Sequence, residues 1–191
     1  MQQQLITAVA DATISSVEGA FQRHVSPDVN ELRASNAGGR WGPPGAYFVF
    51  YLGRPTHSVV VEAYRHLVDD DEDLDGTMVG PRHLLTCEVA VSDVLDLRDP
   101  HSRQLVGLDL TALRSPIDEH AACWRVGQAA HQLQLHGVIA PAATELGETL
   151  ALFEAHLPHD QLPQLIDKER WNHLPPDPRR LRAIDSEAEA S

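Results

Sequence analysis

A glycine-rich loop and the strand predicted after it carry residue types suited to an anionic ligand. The segment GGRWGPPGAYFVFYL, residues 38–52, places Arg40 in the loop and Tyr51 near the end of the strand. Glycine lets a backbone approach a ligand closely, and the planar guanidinium of arginine binds two phosphate oxygens at once. Arg23 precedes this segment and Glu62 follows it. The spacing raises the question of whether these side chains meet in one site.

The elements around the loop would position these residues. AYFVFYL, residues 46–52, is rich in aromatic and branched residues and predicts a strand. Strand periodicity puts Tyr47, Val49 and Tyr51 on one face, and we expect the opposite face, with Phe48, Phe50 and Leu52, to be the core face. Pro55 suits the first turn of a helix that runs to about Leu67. Arg40, Tyr51 and Glu62 can then line one cleft.

Glu62 is the unusual residue of that helix. It lies in SVVVEAY, and one interpretation puts it on the inward stripe beside Val59 and Ala63. An unpaired carboxylate there costs several kcal/mol unless it is paired or functional. The alternative, a surface glutamate on the polar side of the helix, fits the periodicity equally well.

The remaining pattern predicts a single α+β domain. Strands are expected at residues 20–25, 83–91, 137–142 and 149–155, with a short one within 161–167, and a second helix at 118–136. Scattered strands between two good helices favour α+β over a doubly wound sheet. We expect a domain over residues 1–174 and a mobile, charged and proline-rich tail over 175–191.

Composition excludes several classes of protein. The formal charge is −13, from 28 acidic and 15 basic residues, which disfavours nucleic acid and anionic lipid as partners. No apolar run is long enough to span a bilayer, and the N-terminal segment does not resemble a signal peptide, so we expect a cytoplasmic protein. Cys87 and Cys123 are far apart and are interpreted as core thiols.

Other catalytic motifs are absent from the sequence. It contains no Walker loop, no G-x-G-x-x-G fingerprint and no G-x-S-x-G elbow, which disfavours a P-loop nucleotide-binding protein, a Rossmann hydride-transfer enzyme and an esterase. Eleven histidines invite a metal hypothesis, but H-E-x-x-H is missing, and His131 and His136 are five residues apart, off a common helix face. We expect no metal site and no bound cofactor.

Three segments together resemble the RES domain, the toxin component of bacterial RES-Xre toxin-antitoxin pairs. They are FQRH, GGRWGPPGAYFVFYLGRPTHSVVVE and WRVGQAAHQLQLHGVIAPAA, and the likeness spans roughly residues 19–170 in the family's order. The family is named for an arginine, a glutamate and a serine. The first two fall on Arg40 and Glu62, while Ala142 occupies the serine position.

The resemblance also implies roles for the site residues. Glu62, Arg40 and Tyr51 are expected to be catalytic, with Arg23, His24, Gln128 and Ala142 joining Arg40 and Tyr51 in binding NAD. His24 stands where an aromatic residue is common in the family, and Gln128 has only its place on the second helix to support it. Thr144 is near the missing serine but is not assigned as its substitute.

The activity implied is cleavage of NAD by a fold similar to that of ADP-ribosyltransferase toxins. The reaction would be phosphorolysis or hydrolysis of the nicotinamide-ribose bond, with inorganic phosphate as a candidate co-substrate. Two alternatives stay open: a mono-ADP-ribosyltransferase that modifies a protein, and an inactive binding module, which the lost serine would favour. The expected partner is a helix-rich Xre-class antitoxin that covers the site, in a toxin-antitoxin hetero-oligomer.

Overall fold

The computed structural model describes residues 2–115 and 120–180 of the 191 in the chain. The α-helices in these ranges are α1 (Gln2–Asp11), α2 (Thr56–Leu67), α3 (Pro100–Leu105), α4 (Leu110–Arg114) and α5 (Ala121–Gln132). The strands are β1 (Ile14–Val25), β2 (Val49–Arg54), β3 (Arg82–Asp96), β4 (Gly137–Pro141), β5 (Glu148–Phe153) and β6 (Gln164–Trp171). None of the helices in these ranges has the length and apolar character needed to cross a membrane.

The six strands form one sheet that closes on itself. The order is β1-β2-β5-β4-β3-β6, and β1 also pairs with β3, so five strands complete a ring and β6 extends from β3. The long strand β3 pairs with β1 along one edge, and with β6 and then the parallel strand β4 along the other. The pairs β1–β2, β2–β5 and β4–β5 are antiparallel.

Buried apolar side chains fill both faces of the ring. The inner cluster takes residues from all five ring strands, among them Phe21, Phe50 and Leu152. A second cluster lies outside the ring and includes residues of α1, α5 and the loop residue Trp41. Removing this much apolar surface from water is the main term that stabilises such a domain. Cys87 and Cys123 are buried, one in each cluster, as the interpretation of core thiols predicted.

The prediction of a single core face for β2 is wrong. Phe50 and Leu52 enter the inner cluster, but Val49 belongs to the outer cluster and Tyr51 packs against it. The strand begins only at Val49, so Phe48 lies before it and is 49% exposed. A strand with helices on one side and a closed sheet on the other buries both of its faces.

Residues 175–180 pack against α2. The Tyr64 hydroxyl donates to the carbonyl oxygen of Pro175 (3.0 Å), and Arg179 forms ion pairs with Asp69 and the buried Asp177. The sequence predicts that this stretch begins a mobile tail, and the structure gives it these contacts with the domain. Residues 181–191 of that tail lie outside the described residues, and the division at residue 174 stays a prediction.

The α+β class is confirmed, and the predicted strands and two long helices are present with shifted ends. The start of the helix expected at 118–136 falls partly on residues outside the described ranges. Only two helices were expected, whereas the described residues also contain α1, α3 and α4. α3 and α4 are five or six residues long, each capped by an aspartate side chain that accepts backbone amide hydrogens, Asp99 and Asp109.

Candidate active site

The loop that carries Arg40 is fixed on both sides. The Trp41 amide donates to the Tyr51 hydroxyl (3.2 Å), and the indole Nε1 of Trp124 donates to the Gly39 carbonyl (2.8 Å). Helix α5 touches the loop directly, because a Cβ added at Gly127 would lie 2.0 Å from the Trp41 carbonyl oxygen. These contacts hold the loop between β2 and α5.

Arg40 lies partly buried at the end of this loop. Its guanidinium donates to the carbonyl oxygens of Ala112 (3.3 Å) and Ser115 (3.2 Å), at the C-terminal end of α4. Burial lowers the pKa of Arg40, an effect that the nearby charges of Glu62 and Arg65 modify in opposite directions. The guanidinium remains charged, since even a lowered arginine pKa stays far above neutral pH.

Tyr51 faces the same region from β2. Burial raises its pKa to about 12, although the Trp41 amide and the positive charges of Arg40 and Arg23 act in the opposite direction. The phenol is therefore neutral at physiological pH. Gly39 lies against the ring, because a Cβ there would be 2.6 Å from Tyr51 Cζ. The loop backbone thus covers part of the ring that could otherwise stack on a ligand.

Glu62 lies on the open side of α2, on the polar face that periodicity also allowed. Its side chain is 41% exposed, while Val61 and Ala63 on either side are buried. One carboxylate oxygen is 3.2 Å from His66 Nε2 and the other is 3.8 Å from Arg65 Nη1. The inward, desolvated placement is wrong because the buried stripe of the helix passes through the neighbouring valines. The carboxylate is instead held at a partly exposed position by two basic neighbours.

Arg23 and His24 lie at the end of β1. Arg23 donates to the carbonyl oxygen of Arg33 (3.1 Å) and is close enough to Tyr51 for each to affect the other's pKa. His24 Nδ1 lies 3.2 Å from Arg82 Nη2, and its ring centroid is 6.3 Å from that of His66. Burial, and then the charges of Arg82 and its other basic neighbours, lower the pKa of His24 to about 3. The imidazole is neutral at physiological pH.

These contacts form one chain of neighbours, which we call the cleft cluster: Arg23, His24, Arg40, Tyr51, Glu62, Arg65, His66 and Arg82. It brings together five of the residues that the sequence singled out. Arg65 and His66 were missed, although their positions three and four residues after Glu62 on a helix could have revealed them. Arg82 carried no comparable signal, because only the pairing of β3 with β1 brings it near His24.

The structure places the other two predicted residues differently. Gln128 is on the exposed side of α5. Ala142 is buried after β4, where its amide donates to the Gly147 carbonyl (2.9 Å). Two residues further on, the Thr144 hydroxyl is 2.7 Å from that of the buried Ser58 on α2. Hydroxyl groups are therefore present near the position where the family has a serine.

Two cavities flank the cleft cluster. The larger, about 370 Å³, lies between α2 and the β4–β5 loop and is lined partly by Val61, Arg65 and Leu146. The smaller, about 300 Å³, is lined by Arg23, His24, Arg82 and residues of the loop that follows β1. Glu62 contacts Arg65 of the larger cavity, and its partner His66 lies beside His24 of the smaller one. Within residues 2–115 and 120–180, no group of three His, Cys, Asp or Glu side chains is placed to hold a metal ion.

The fold and the site define a class of protein: a small α+β domain whose candidate site combines several arginines with one carboxylate. Solved structures include one of similar shape, a chain of the Mycobacterium tuberculosis MbcT-MbcA toxin-antitoxin complex. The alignment covers 99% of this chain and 98% of that one, with a TM-score of 0.78 and 24% identity. At this identity the likeness concerns the fold.

Sequence comparison identifies the family. Residues 17–183 match the RES domain. Curated relatives from Mycobacterium bovis and Mycobacterium tuberculosis, each named NAD(+) phosphorylase MbcT, are 31% identical to this chain over 129 residues, or 68% of each protein. The chain belongs to the RES domain family, which confirms the resemblance found in its motifs.

Proposed function

We propose that this protein is a toxin that depletes NAD by cleaving the bond between nicotinamide and ribose, with phosphorolysis as the favoured reaction. The observation that carries the proposal is the cleft cluster, which contains four arginines and one carboxylate although the whole chain has a formal charge of −13. Clustered, partly desolvated cations in an acidic protein suit an anionic substrate. The names of the curated relatives support the same activity.

Cleavage of the bond between nicotinamide and ribose depends mainly on charged side chains held in fixed positions. When the glycosidic bond breaks, its electron pair goes to the nicotinamide nitrogen, and the ribose passes through an oxocarbenium-like state. Glu62 would stabilise that positive charge, while Arg40 would hold the pyrophosphate of NAD through charge-assisted hydrogen bonds. A phosphate oxygen then forms the new bond to the anomeric carbon. The products are nicotinamide and ADP-ribose carrying a phosphate at that carbon.

Two other fates of the ADP-ribose group share this first step. In hydrolysis water replaces phosphate, and in mono-ADP-ribosyl transfer a protein side chain replaces it. Incubating the purified protein with NAD, with and without inorganic phosphate, and following nicotinamide release separates them. Phosphorolysis requires phosphate for release, hydrolysis does not, and transfer leaves labelled ADP-ribose on protein.

A Glu62→Gln protein serves as the control, because it keeps the shape of the side chain and lacks its charge. Nicotinamide release by the wild type that depends on Glu62 supports the assignment. If the folded wild type releases no nicotinamide under any of these conditions, the chain is the inactive binding module that the loss of the family serine suggested.

We further propose a partner that controls the enzyme in the cytoplasm. An enzyme that drains NAD needs restraint, and arginines in an open cleft offer bidentate partners to an acidic side chain or a chain terminus. A helix-rich antitoxin of the Xre class, encoded beside this chain, would cover the cleft and compete with NAD. The test is to purify the co-expressed pair and compare nicotinamide release before and after the partner is removed. An unchanged rate, or partner binding that saturating NAD does not weaken, contradicts occlusion.

A further inference from the structure

The smaller cavity is lined by basic groups from two adjacent strands. Arg23 and His24 come from the end of β1, and Arg82 begins β3. The antiparallel register pairs His24 with Leu84 and Val25 with His83, so Arg82 follows immediately beyond the end of β1. Sheet pairing therefore brings both arginines to the lining of the same cavity.

Neither of these arginines is neutralised by an ion pair. Among the described residues, no carboxylate oxygen lies within 4.0 Å of Arg23 or Arg82, and their hydrogen bonds go to the Arg33 carbonyl and the His24 ring. Arg82 Nε is buried without a hydrogen-bond partner in the same part of the chain. Both arginines are partly buried, and this burial lowers the pKa of each. A pair of desolvated cations of this kind is costly unless an anion binds between them.

The acidic groups near the cavity do not form ion pairs with Arg23 or Arg82. Glu31 lines the cavity, but its carboxylate is 2.9 Å from Arg33, and both of these side chains are largely exposed. Asp28 acts on Arg82 only through space and accepts a short hydrogen bond from Ser26. The neutral imidazole of His24 adds no charge. The cavity thus has a net positive lining.

The position of the cavity relative to Glu62 suggests which anion it takes. Arg65, whose guanidinium is 3.8 Å from Glu62, lines the larger cavity together with Val61, Leu146 and the charged side chains of Glu145 and Arg179. His66, 3.2 Å from Glu62, has its ring centroid 6.3 Å from that of His24, which lines the smaller cavity. The smaller cavity is therefore close to the carboxylate assigned to the ribose, so an anion bound there is a candidate nucleophile.

We propose that the smaller cavity is a binding site for free inorganic phosphate, held by the guanidinium groups of Arg23 and Arg82. Its use as the nucleophile rests on the proposed function, whereas binding itself needs no turnover. The pyrophosphate of NAD shares the same chemistry, and the experiment must distinguish the two sources.

The first measurement is titration calorimetry of inorganic phosphate into the purified protein without NAD. We expect Arg82→Gln, which keeps a hydrogen-bonding group toward His24, to weaken phosphate binding by about tenfold to a hundredfold, the usual effect of losing one charged contact. Arg82→Lys should recover part of the affinity. Arg125→Ala is the matched control, because this arginine is exposed on α5 and lines neither cavity. Absence of phosphate binding to the wild type, or equal binding by wild type and Arg82→Gln, overturns the proposal even if NAD is cleaved.

The second measurement separates phosphate from NAD in the reaction. We expect Arg82→Gln to raise the KM for phosphate by at least tenfold and to change the KM for NAD by less than twofold. A raised KM for NAD with an unchanged KM for phosphate assigns the cavity to the pyrophosphate and overturns the proposal. If the wild type binds phosphate in an Arg82-dependent manner but releases no nicotinamide, the proposed function fails while the phosphate site stands.

Discussion

Two groups of arginines in this protein differ in how their charge is balanced. One, at an end of the strand ring, is the sheet-end network of Arg54, Arg98, Asp96 and Glu148. Arg98 is 2.6 Å from Asp96 and 3.3 Å from Glu148, which also pairs with Arg54. The network therefore contains two arginines and two carboxylates, and their charges balance. In the cleft cluster, Glu62 is the one carboxylate beside four arginines, and among the described residues only Arg65 of these four lies within 4.0 Å of it.

The difference separates a structural from a functional use of the same side chain. In the sheet-end network each guanidinium is satisfied within the fold, so the network joins β2, β3 and β5 and has no capacity left for a ligand. In the cleft cluster the arginines bond mainly to neutral carbonyl groups, and their charge stays available. Substitutions should therefore change stability in one group and NAD turnover in the other.

The largest effect is expected at Glu62. Glu62→Gln removes the charge that meets the oxocarbenium-like state, and we expect the barrier to rise by roughly 3 kcal/mol, about a hundredfold in rate. The free energy of unfolding should change little, since an exposed ion pair contributes about 0–1 kcal/mol. Steady-state kinetics and urea denaturation measure the two quantities, with Glu169→Gln on the exposed strand β6 as the control. Equal losses in NAD affinity and in rate would instead assign Glu62 to binding.

The next effect is expected at Arg40. Arg40→Ala removes a charge-assisted contact to phosphate, which we expect to cost about 1.5 to 3 kcal/mol and so to lower kcat/KM for NAD by about tenfold to a hundredfold. Circular dichroism should show a folded protein, because the loop keeps its bonds from Trp41 and Trp124. Arg114→Ala, which breaks only a surface pair with Glu145, is the control. Full turnover by folded Arg40→Ala protein would remove Arg40 from the site.

The sheet-end network should respond in the opposite way. Arg98→Met leaves the buried Asp96 without its bidentate partner, and we expect the free energy of unfolding to fall by about 2 kcal/mol. Nicotinamide release at a temperature where the variant is folded should stay within twofold of the wild type. A large loss of turnover in a variant of unchanged stability contradicts the division between the two groups.

The smallest expected effect is the pH dependence of the free energy of unfolding. Burial alone would raise the pKa of Asp96, but its bonds to Arg98 and Ser15 outweigh burial and lower it. The carboxylate therefore contributes stability that is complete above its unfolded pKa of about 4 and is lost as the pH falls through the lower folded value. Unfolding free energies measured from pH 6 down to pH 2 should show the wild type and Arg98→Met converging. A constant difference in unfolding free energy between the two proteins over this range would mean that protonation of Asp96 is not coupled to its contact with Arg98.

The sequence predicted most of this site because the relevant residues are close along the chain. Arg40, Tyr51 and Glu62 lie within one loop, strand and helix, and local periodicity placed them on neighbouring elements. The side of α2 that carries Glu62 could not be decided, since burial of the adjacent valines depends on what packs against the helix. Arg82 required the register between β1 and β3, a long-range property that no local pattern encodes.

The same reasoning applies to the fold. Alternating strands were recognised from β-branched and aromatic residues, and the α+β class followed from them. Closure of the sheet was not recognised, because it depends on pairing of β1 with β3, which joins residues as far apart in the chain as Ile14 and Leu95. The short helices α3 and α4 carried capping aspartates, Asp99 and Asp109, that could have been read from the sequence. α1 lacks an acidic residue in its first turn and a basic residue in its last.

The locked loop around Arg40 has a consequence for how the protein is controlled. The hydrogen bonds from Trp41 and Trp124 and the close approach of Gly127 hold the loop backbone, and the Ala112 and Ser115 carbonyl groups hold the guanidinium. The entropy of ordering the loop is then lost during folding, so a ligand that binds Arg40 meets a preorganised site. Under the proposed function, the rate of NAD cleavage in a cell would then depend on how many copies of the protein have a cleft that the proposed antitoxin does not cover.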